Sequence, residues 1–355
     1  MRANDFKGIL EKNKSDFALF YTLDQEPNPN MFYFSGYRGV GALIIPKKKS
    51  PCLMVPKMEV ERAKKSMVKQ VCVMNKKRFF ESISNIIKKR GILSKKIGID
   101  NDNFSLNAYK YFKKTFKNVK TKDIFYDCLK LREVKTNKEI RILKKSCNYA
   151  DKIIKKVINN FKDFKTETDV SGFLEYETKK LGLDIAFSPV VASGSNGSMP
   201  HHEPTNTKLK KGFCVIDFGV KYKGYCSDIT RTIYLGKASG KEKQTYNFLL
   251  DVQENIINNI KINDNCGKMY GDCVKNLGKY SKYFIHGLGH GVGVEIHELP
   301  NLSLNSKDKV MENMVFTIEP GIYIPKKFGI RIEDTVLMGK KANVLTKVSK
   351  DLLII

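Results

Sequence analysis

Two pairs of acidic residues, each set about a turn signal between apolar strands, constrain this chain more than anything else in its sequence. Asp217 lies in Val215-Ile216-Asp217-Phe218-Gly219 and Asp228 in Tyr225-Cys226-Ser227-Asp228-Ile229-Thr230, symmetric about the turn-like stretch Lys221-Tyr222-Lys223-Gly224. Glu319, in Phe316-Thr317-Ile318-Glu319-Pro320-Gly321, and Glu333, in Gly329-Ile330-Arg331-Ile332-Glu333, are symmetric about Lys326, with Pro325 and Gly329 bounding the turn. Cross-strand partners point to one face, so each hairpin is expected to bring two like charges together, which costs energy unless a cation neutralises them. A solvated acidic surface would not explain why both pairs sit in apolar strands. Two such hairpins predict one acidic cavity.

The histidines point to the same place. All five fall between residues 201 and 297, as His201, His202, His286, His290 and His297. The run from His286 to Gly293 alternates with glycine, which strips side chains from around the imidazoles and lets backbone approach a ligand. Its spacing is not the G-x-G-x-x-G of dinucleotide sites, and His297-Glu298-Leu299-Pro300 is not H-E-x-x-H. Four carboxylates carry about four negative charges. Two divalent cations would balance them and leave a bridging hydroxide as nucleophile, the pattern of two-metal hydrolysis. Oxygen-rich ligation with one imidazole favours manganese, cobalt or iron, with zinc still compatible. Arg331 and Thr230 share strand faces with Glu333 and Asp228 and are expected to orient those ligands.

Composition sets wider limits. A chain of 355 residues, 41% hydrophobic, suggests two domains. No stretch has the apolar length of a membrane span and the first residues lack a signal-peptide core, so a cytoplasmic protein without membrane attachment is expected. Cys52, Cys72, Cys128, Cys147, Cys214, Cys226, Cys266 and Cys273 form no C-x-x-C pair, which argues against structural zinc and a disulfide framework. The net charge of +27 raises nucleic-acid binding. The excess is mostly lysine spread along the whole chain, and tryptophan is absent, so a solvated lysine surface is the expectation and specific nucleic-acid binding is not.

The first part of the chain alternates strand and helix signals. Phe17 to Tyr21, Met31 to Phe34, Gly41 to Ile45, Cys52 to Val55 and Ile97 to Ile99 read as strands, and Met58 to Met67, Phe80 to Lys89 and Ser105 to Phe116 as helices. An α/β domain over residues 1–125 is expected. A long lysine-rich helix then starts near Asn137, with Ile140, Leu143, Cys147, Ala150, Ile153 and Ile154 at helical spacing. Thr166 and Ser239 look like N-caps of later helices. Helices alternating with paired hairpins predict an α+β domain over residues 126–355.

At these residues the chain resembles the Xaa-Pro peptidases, prolidase and aminopeptidase P, of the pita-bread metallopeptidase family. The matching runs are Phe187 to Gly194 with Pro200-His201, Val215 to Gly219, Tyr225 to Thr232, His286 to Pro300, Thr317 to Tyr323 and Arg331-Ile332-Glu333-Asp334. Phe32 to Tyr37 resembles the start of a creatinase-type N-terminal domain, and Leu131-Arg132-Glu133-Val134-Lys135 the family's linker. That N-terminal domain separates the chain from methionine aminopeptidase. The resemblance implies an α/β N-terminal domain followed by an α+β pita-bread catalytic domain, in a homodimer acting on peptides with proline in second position. It implies two divalent metal ions, most readily manganese or cobalt, held by Asp217, Asp228, His290, Glu319 and Glu333. Glu319 would also take a proton from the bridging water, His201 and His297 would stabilise the tetrahedral intermediate or its leaving group, and His286 would assist proton transfer. Phe187 would line an apolar proline pocket.

One departure bears on substrate length. Prolidases often carry an arginine after the H-E-x-P segment, where this chain has Asn301. Loss of such a carboxylate clamp weakens a strict dipeptidase reading and leans toward longer peptides, while another lysine or arginine in its place would keep the dipeptidase open. Two other classes share the fold: binding modules that have lost catalysis, and creatinase, which works without metal. Both predict eroded ligands, whereas all five are present here.

Overall fold

The computed structural model describes residues 3–23, 27–74 and 78–355. The chain forms two compact units, Met1–Leu131 and Arg132–Ile355. Their division falls inside the helix Phe125–Glu133, a little beyond the 125/126 boundary expected from sequence.

The first unit holds a six-stranded sheet in the order Gln70–Val73, Cys52–Val55, Gly41–Pro46, Phe17–Thr22, Lys96–Ile99, Lys120–Asp123. Phe17–Thr22 is apolar at almost every position because both its faces are covered. Phe17, Leu19 and Tyr21 pack with Phe80, Ile83, Phe104 and Phe112, and Phe20 on the other face meets Phe6 and Phe34 at ring distances of 5.8 and 5.4 Å. The expected strand at Met31–Phe34 is instead part of the helix Pro29–Ser35. Asn28 caps it by accepting the Met31 N–H, Pro29 opens it, and Gly36 closes it in the left-handed region at φ 69°. The cap signals outrank the aromatic run.

In the second unit two helices start at the caps expected from sequence, Thr166 and Ser239, and the long helix starts at Thr136, next to its expected start near Asn137. All three caps form reciprocal capping boxes, with Asp169, Glu242 and Glu139 respectively. The helix Asn137–Asn159 buries Ala150, Ile153, Ile154 and Val157 against Ile216, Phe218, Ile229 and Ile233 of the first acid-bearing hairpin. The helices Gly240–Asn259 and Cys266–Leu277 bury Leu249, Ile256, Ile257 and Cys273 against Phe316, Ile318, Ile322, Ile330 and Ile332 of the second. In the second hairpin these are the even-numbered residues. Strand alternation therefore sends the odd-numbered Thr317, Glu319, Tyr323, Arg331 and Glu333 to the opposite face. No helix among the described residues is long and apolar enough to cross a membrane.

Register decides how the acids meet. In the second hairpin Ile324 pairs with Phe328 and Gly321 with Arg331, and the same register resumes from Ile318 with Asp334 to Val315 with Leu337. Glu319 and Glu333 therefore stand opposite each other where the ladder is interrupted, with the turn at Lys326, as expected. In the first hairpin Tyr222 pairs with Tyr225 and Asp217 with Thr230. The turn is Lys223-Gly224, both at positive φ, so its centre lies one residue beyond the expected one. Asp217 thus faces Thr230, and Asp228 is its diagonal neighbour rather than its direct partner. Moving a pairing by two positions preserves which face each side chain takes, so both aspartates still share one.

Candidate active site

Asp217, Asp228, His290, Glu319 and Glu333 converge in one cluster. Asp228, His290 and Glu333 each offer a ligand atom within 4.8 Å of the others. His290 Nε2 lies 3.6 Å from Asp228 Oδ2 and 3.4 Å from Glu319 Oε1. Nδ1 of the same ring is 3.2 Å from the Gly291 carbonyl, a bond that places its proton there and leaves Nε2 as a lone pair toward the acids. Glycines make the approach possible: a Cβ on Gly289 would collide with the Thr317 carbonyl, and one on Gly291 with that of Leu299.

Arg331 and Thr230 organise the carboxylates, as their strand positions suggested. Arg331 donates from Nη2 to Asp217 Oδ2 at 2.6 Å, from Nε to Thr230 Oγ1 at 3.2 Å, and from Nη1 to Tyr323 Oη at 2.7 Å and the Pro200 carbonyl at 3.3 Å. Thr230 in turn donates to Glu333 Oε2 at 2.7 Å. Thr317 Oγ1 donates to Glu319 Oε1 at 3.2 Å and accepts the His290 backbone N–H at 3.1 Å. Asp217 Oδ1 and Asp228 Oδ1 are buried and have no protein hydrogen-bond partner. Buried oxygens of that kind carry a full desolvation cost unless something else binds them.

The electrostatics agree. Burial, reinforced by Glu333, Asp217 and Glu319, holds the Asp228 carboxyl well above the ordinary carboxylate range. Glu333 is raised likewise by burial and then by Glu319 and Asp217, and Glu319 is raised chiefly by burial. Burial lowers His290, which keeps it neutral and able to coordinate. An acid cluster short of positive charge, with a neutral imidazole and two orphaned oxygens, is chemically suited to divalent cations.

His297 and His286 lie against this cluster. His297 packs its ring edgewise on His290 at 4.4 Å. His286 donates from Nδ1 to the Gly287 carbonyl at 2.8 Å and accepts from Tyr323 Oη on Nε2 at 2.9 Å, with Glu319 Oε2 4.0 Å away. Burial lowers both histidines. His201 is exposed and follows Pro200, whose carbonyl accepts from Arg331 Nη1 at 3.3 Å. Phe187 is half-buried against Gly219, where a Cβ would approach its ring.

Two participants escaped the sequence reading. Tyr323 joins Arg331 to His286, and the odd-numbered alternation from Glu319 would have found it. Glu167, fully buried, takes the His202 ring at 2.8 Å and the backbone and hydroxyl of Ser193 at 2.8 and 3.0 Å, which anchors the segment carrying His201. Its only local signal is its place in the first turn of a capped helix.

Comparison with known proteins places this arrangement. Residues 141–340 match metallopeptidase family M24, and residues 2–134 match the creatinase/prolidase N-terminal domain. An Xaa-Pro dipeptidase of Pyrococcus furiosus is 37% identical over 332 residues, covering 91% of this chain and 92% of its own. Among solved structures, a prolidase from Pyrococcus horikoshii OT3 superposes with a TM-score of 0.89 at 32% identity over 99% of both chains. An X-Pro aminopeptidase from Thermotoga maritima MSB8 superposes with a TM-score of 0.90 at 27% identity over 100% of both.

Proposed function

The chain belongs to metallopeptidase family M24 and carries a creatinase/prolidase N-terminal domain, and from that premise we propose that it is a metal-dependent exopeptidase cutting the bond between an N-terminal residue and a following proline. The observation that carries this reading is the convergence of Asp228, His290 and Glu333, with Asp217 and Glu319 beside them, in which the buried Asp217 Oδ1 and Asp228 Oδ1 have no protein partner. Asp217, Asp228, His290, Glu319 and Glu333 would hold two divalent ions, manganese or cobalt first, with iron and zinc compatible with the same donors. Bound there, the ions would supply Lewis acidity and a water of lowered pKa.

The chain's own groups do the rest. Glu319, flanked by Thr317 and His290, would accept a proton from the attacking water and return it to the departing proline nitrogen. His297 and His201 would donate hydrogen bonds to the carbonyl oxygen as it gains charge. Both ring nitrogens of His286 are engaged, so a proton passes through it only as the Tyr323 or Gly287 bond opens. Phe187 offers an apolar wall for the proline ring, and the acidic cavity suits a free α-amino group. None of the eight cysteines forms a disulfide, which fits a reducing, cytoplasmic setting. A homodimer follows from the family resemblance and is read by sedimentation.

Asn301 is exposed where an arginine would clamp a dipeptide's carboxylate, which supports longer peptides. Hydrolysis of a matched Xaa-Pro dipeptide and Xaa-Pro-Yaa tripeptide with Mn²⁺ or Co²⁺, beside the Glu319→Ala variant, tests the reading. Faster tripeptide cleavage makes the chain an aminopeptidase. Cleavage of the dipeptide alone makes it a dipeptidase, and cleavage of neither removes the Xaa-Pro assignment.

A further inference from the structure

The segment that leads into the long helix of the second unit is charged yet buried. Arg132 is 1% and Lys135 2% exposed. Both reach one carboxylate: Arg132 Nε lies 3.3 Å from Glu298 Oε1, and Lys135 Nζ lies 3.1 Å from Glu298 Oε2. Arg132 also pairs with Glu295 through Nη2. Glu298 Oε1 accepts the backbone N–H groups of Val294 at 2.9 Å and Glu295 at 3.2 Å. A Cβ on Gly293 would collide with the same carboxylate. The loop 293–298 is therefore wrapped around the Glu298 side chain, and His297, the adjacent residue, rests its ring on His290.

A buried ion cluster is a weak source of net stability, because desolvation of the charges offsets their attraction, and apolar replacements of similar volume often do as well. What it supplies is geometry. Two cations fixed at the start of a capped helix hold the carboxylate, and the carboxylate holds two successive loop amides.

We propose that Arg132 and Lys135 are positioning residues for His297, acting through Glu298 to fix the loop that aims its imidazole over His290. The inference rests on the proposed function, in which His297 acts on the reacting carbonyl. It differs from that reading in assigning a catalytic consequence to residues that touch neither substrate nor the acid cluster.

A double-mutant cycle separates the two. Lys135→Met, His297→Ala and their combination are compared for kcat, KM and bound metal in the full-length, metal-loaded protein, with circular dichroism checking the fold. Lys135→Met is expected to lower kcat about 10-fold, the scale of losing an outer orienting partner, with KM and metal content nearly unchanged. The double variant is expected to be no slower than His297→Ala alone, because the two changes act through one imidazole. Lys135→Arg should restore most of the loss. Glu298→Gln keeps the shape of the anchor without its charge and should reproduce the Lys135→Met result even where Lys135→Met itself folds poorly. Wild-type kcat in both Lys135→Met and Glu298→Gln, or a double variant that loses the product of the two single losses, would overturn the proposal. An unchanged kcat in His297→Ala would instead remove the assigned role of His297, and the clamp's purpose with it.

Discussion

In the hairpin closed at Lys326 the two acids face each other and each is met by a threonine, Glu319 by Thr317 and Glu333 by Thr230. In the hairpin closed at Lys223-Gly224 the acids are diagonal neighbours, and each keeps one buried oxygen without a protein partner. Arg331 bridges the two hairpins, bonding Asp217 and Thr230 of the first from a strand of the second. The contrast shows how one acidic site is divided. The glutamates are partly satisfied by protein hydroxyls and Asp217 by Arg331, whereas one buried oxygen of each aspartate depends on whatever cation enters.

The largest effect that tests this contrast is on activity. Asp228→Asn is expected to lower kcat/KM by about 10³-fold or more, as loss of a group at the reacting centre does, together with metal content measured by elemental analysis. Glu333→Gln should approach the same loss. If Asp228→Asn kept its metal while Glu333→Gln lost it, the assigned division between the hairpins would be reversed.

Next comes stability in the chelated protein. Asp228, Glu319 and Glu333 all have carboxyls raised in the folded state, so they carry protons that the unfolded chain has lost. Their contribution is fully present below the ordinary carboxylate range and is lost as pH rises through the raised folded values, at about 1.4 kcal/mol per pH unit per group. Compared with the Asp228→Asn variant, metal-free protein should therefore lose melting temperature as pH rises above about 3.9, the unfolded aspartate value. Metal should remove most of that slope and release protons on binding. Melting curves across pH, with and without chelator, read this directly. A metal-free profile running parallel to that of Asp228→Asn would contradict the burial of the cluster.

Smaller effects come from the shared outer contacts. Arg331→Lys cannot reproduce four directed bonds and should weaken metal affinity roughly 10- to 100-fold, read by competition with a chromogenic chelator. Tyr323→Phe removes the hydroxyl that links Arg331 to His286 and should cost about 5- to 30-fold in kcat, the scale of one or two hydrogen bonds near 1 kcal/mol each. An Arg331→Lys protein with unchanged metal affinity would show that the bridge between the hairpins is not what orders them.

Much of this was legible before any coordinates. The acid pairs, the glycine-flanked histidines, the caps at Thr166 and Ser239 and the apolar stripe from Ile140 to Ile154 are local patterns with one physical meaning. The second hairpin's register was legible too, because Pro325 and Gly329 mark its turn. In the first hairpin, symmetry of the acids was the wrong guide. The Lys-Gly pair at positive φ sets the turn, and the aspartates fall two positions out of direct register. The helix Pro29–Ser35 was hidden by its aromatic residues, although Asn28-Pro29 and Gly36 announce its ends. Glu167 and the Arg132–Lys135–Glu298 cluster could not be found by spacing, since each joins segments far apart in sequence.

The central claim is tested most directly by titrating the chelated protein with Mn²⁺ while following cleavage of a proline-containing substrate and of the same peptide with alanine in place of proline. The account predicts no turnover without metal, activity that returns as two ions bind, and preference for the proline peptide. Turnover that persists in fully chelated protein, or none with both ions bound, would contradict it.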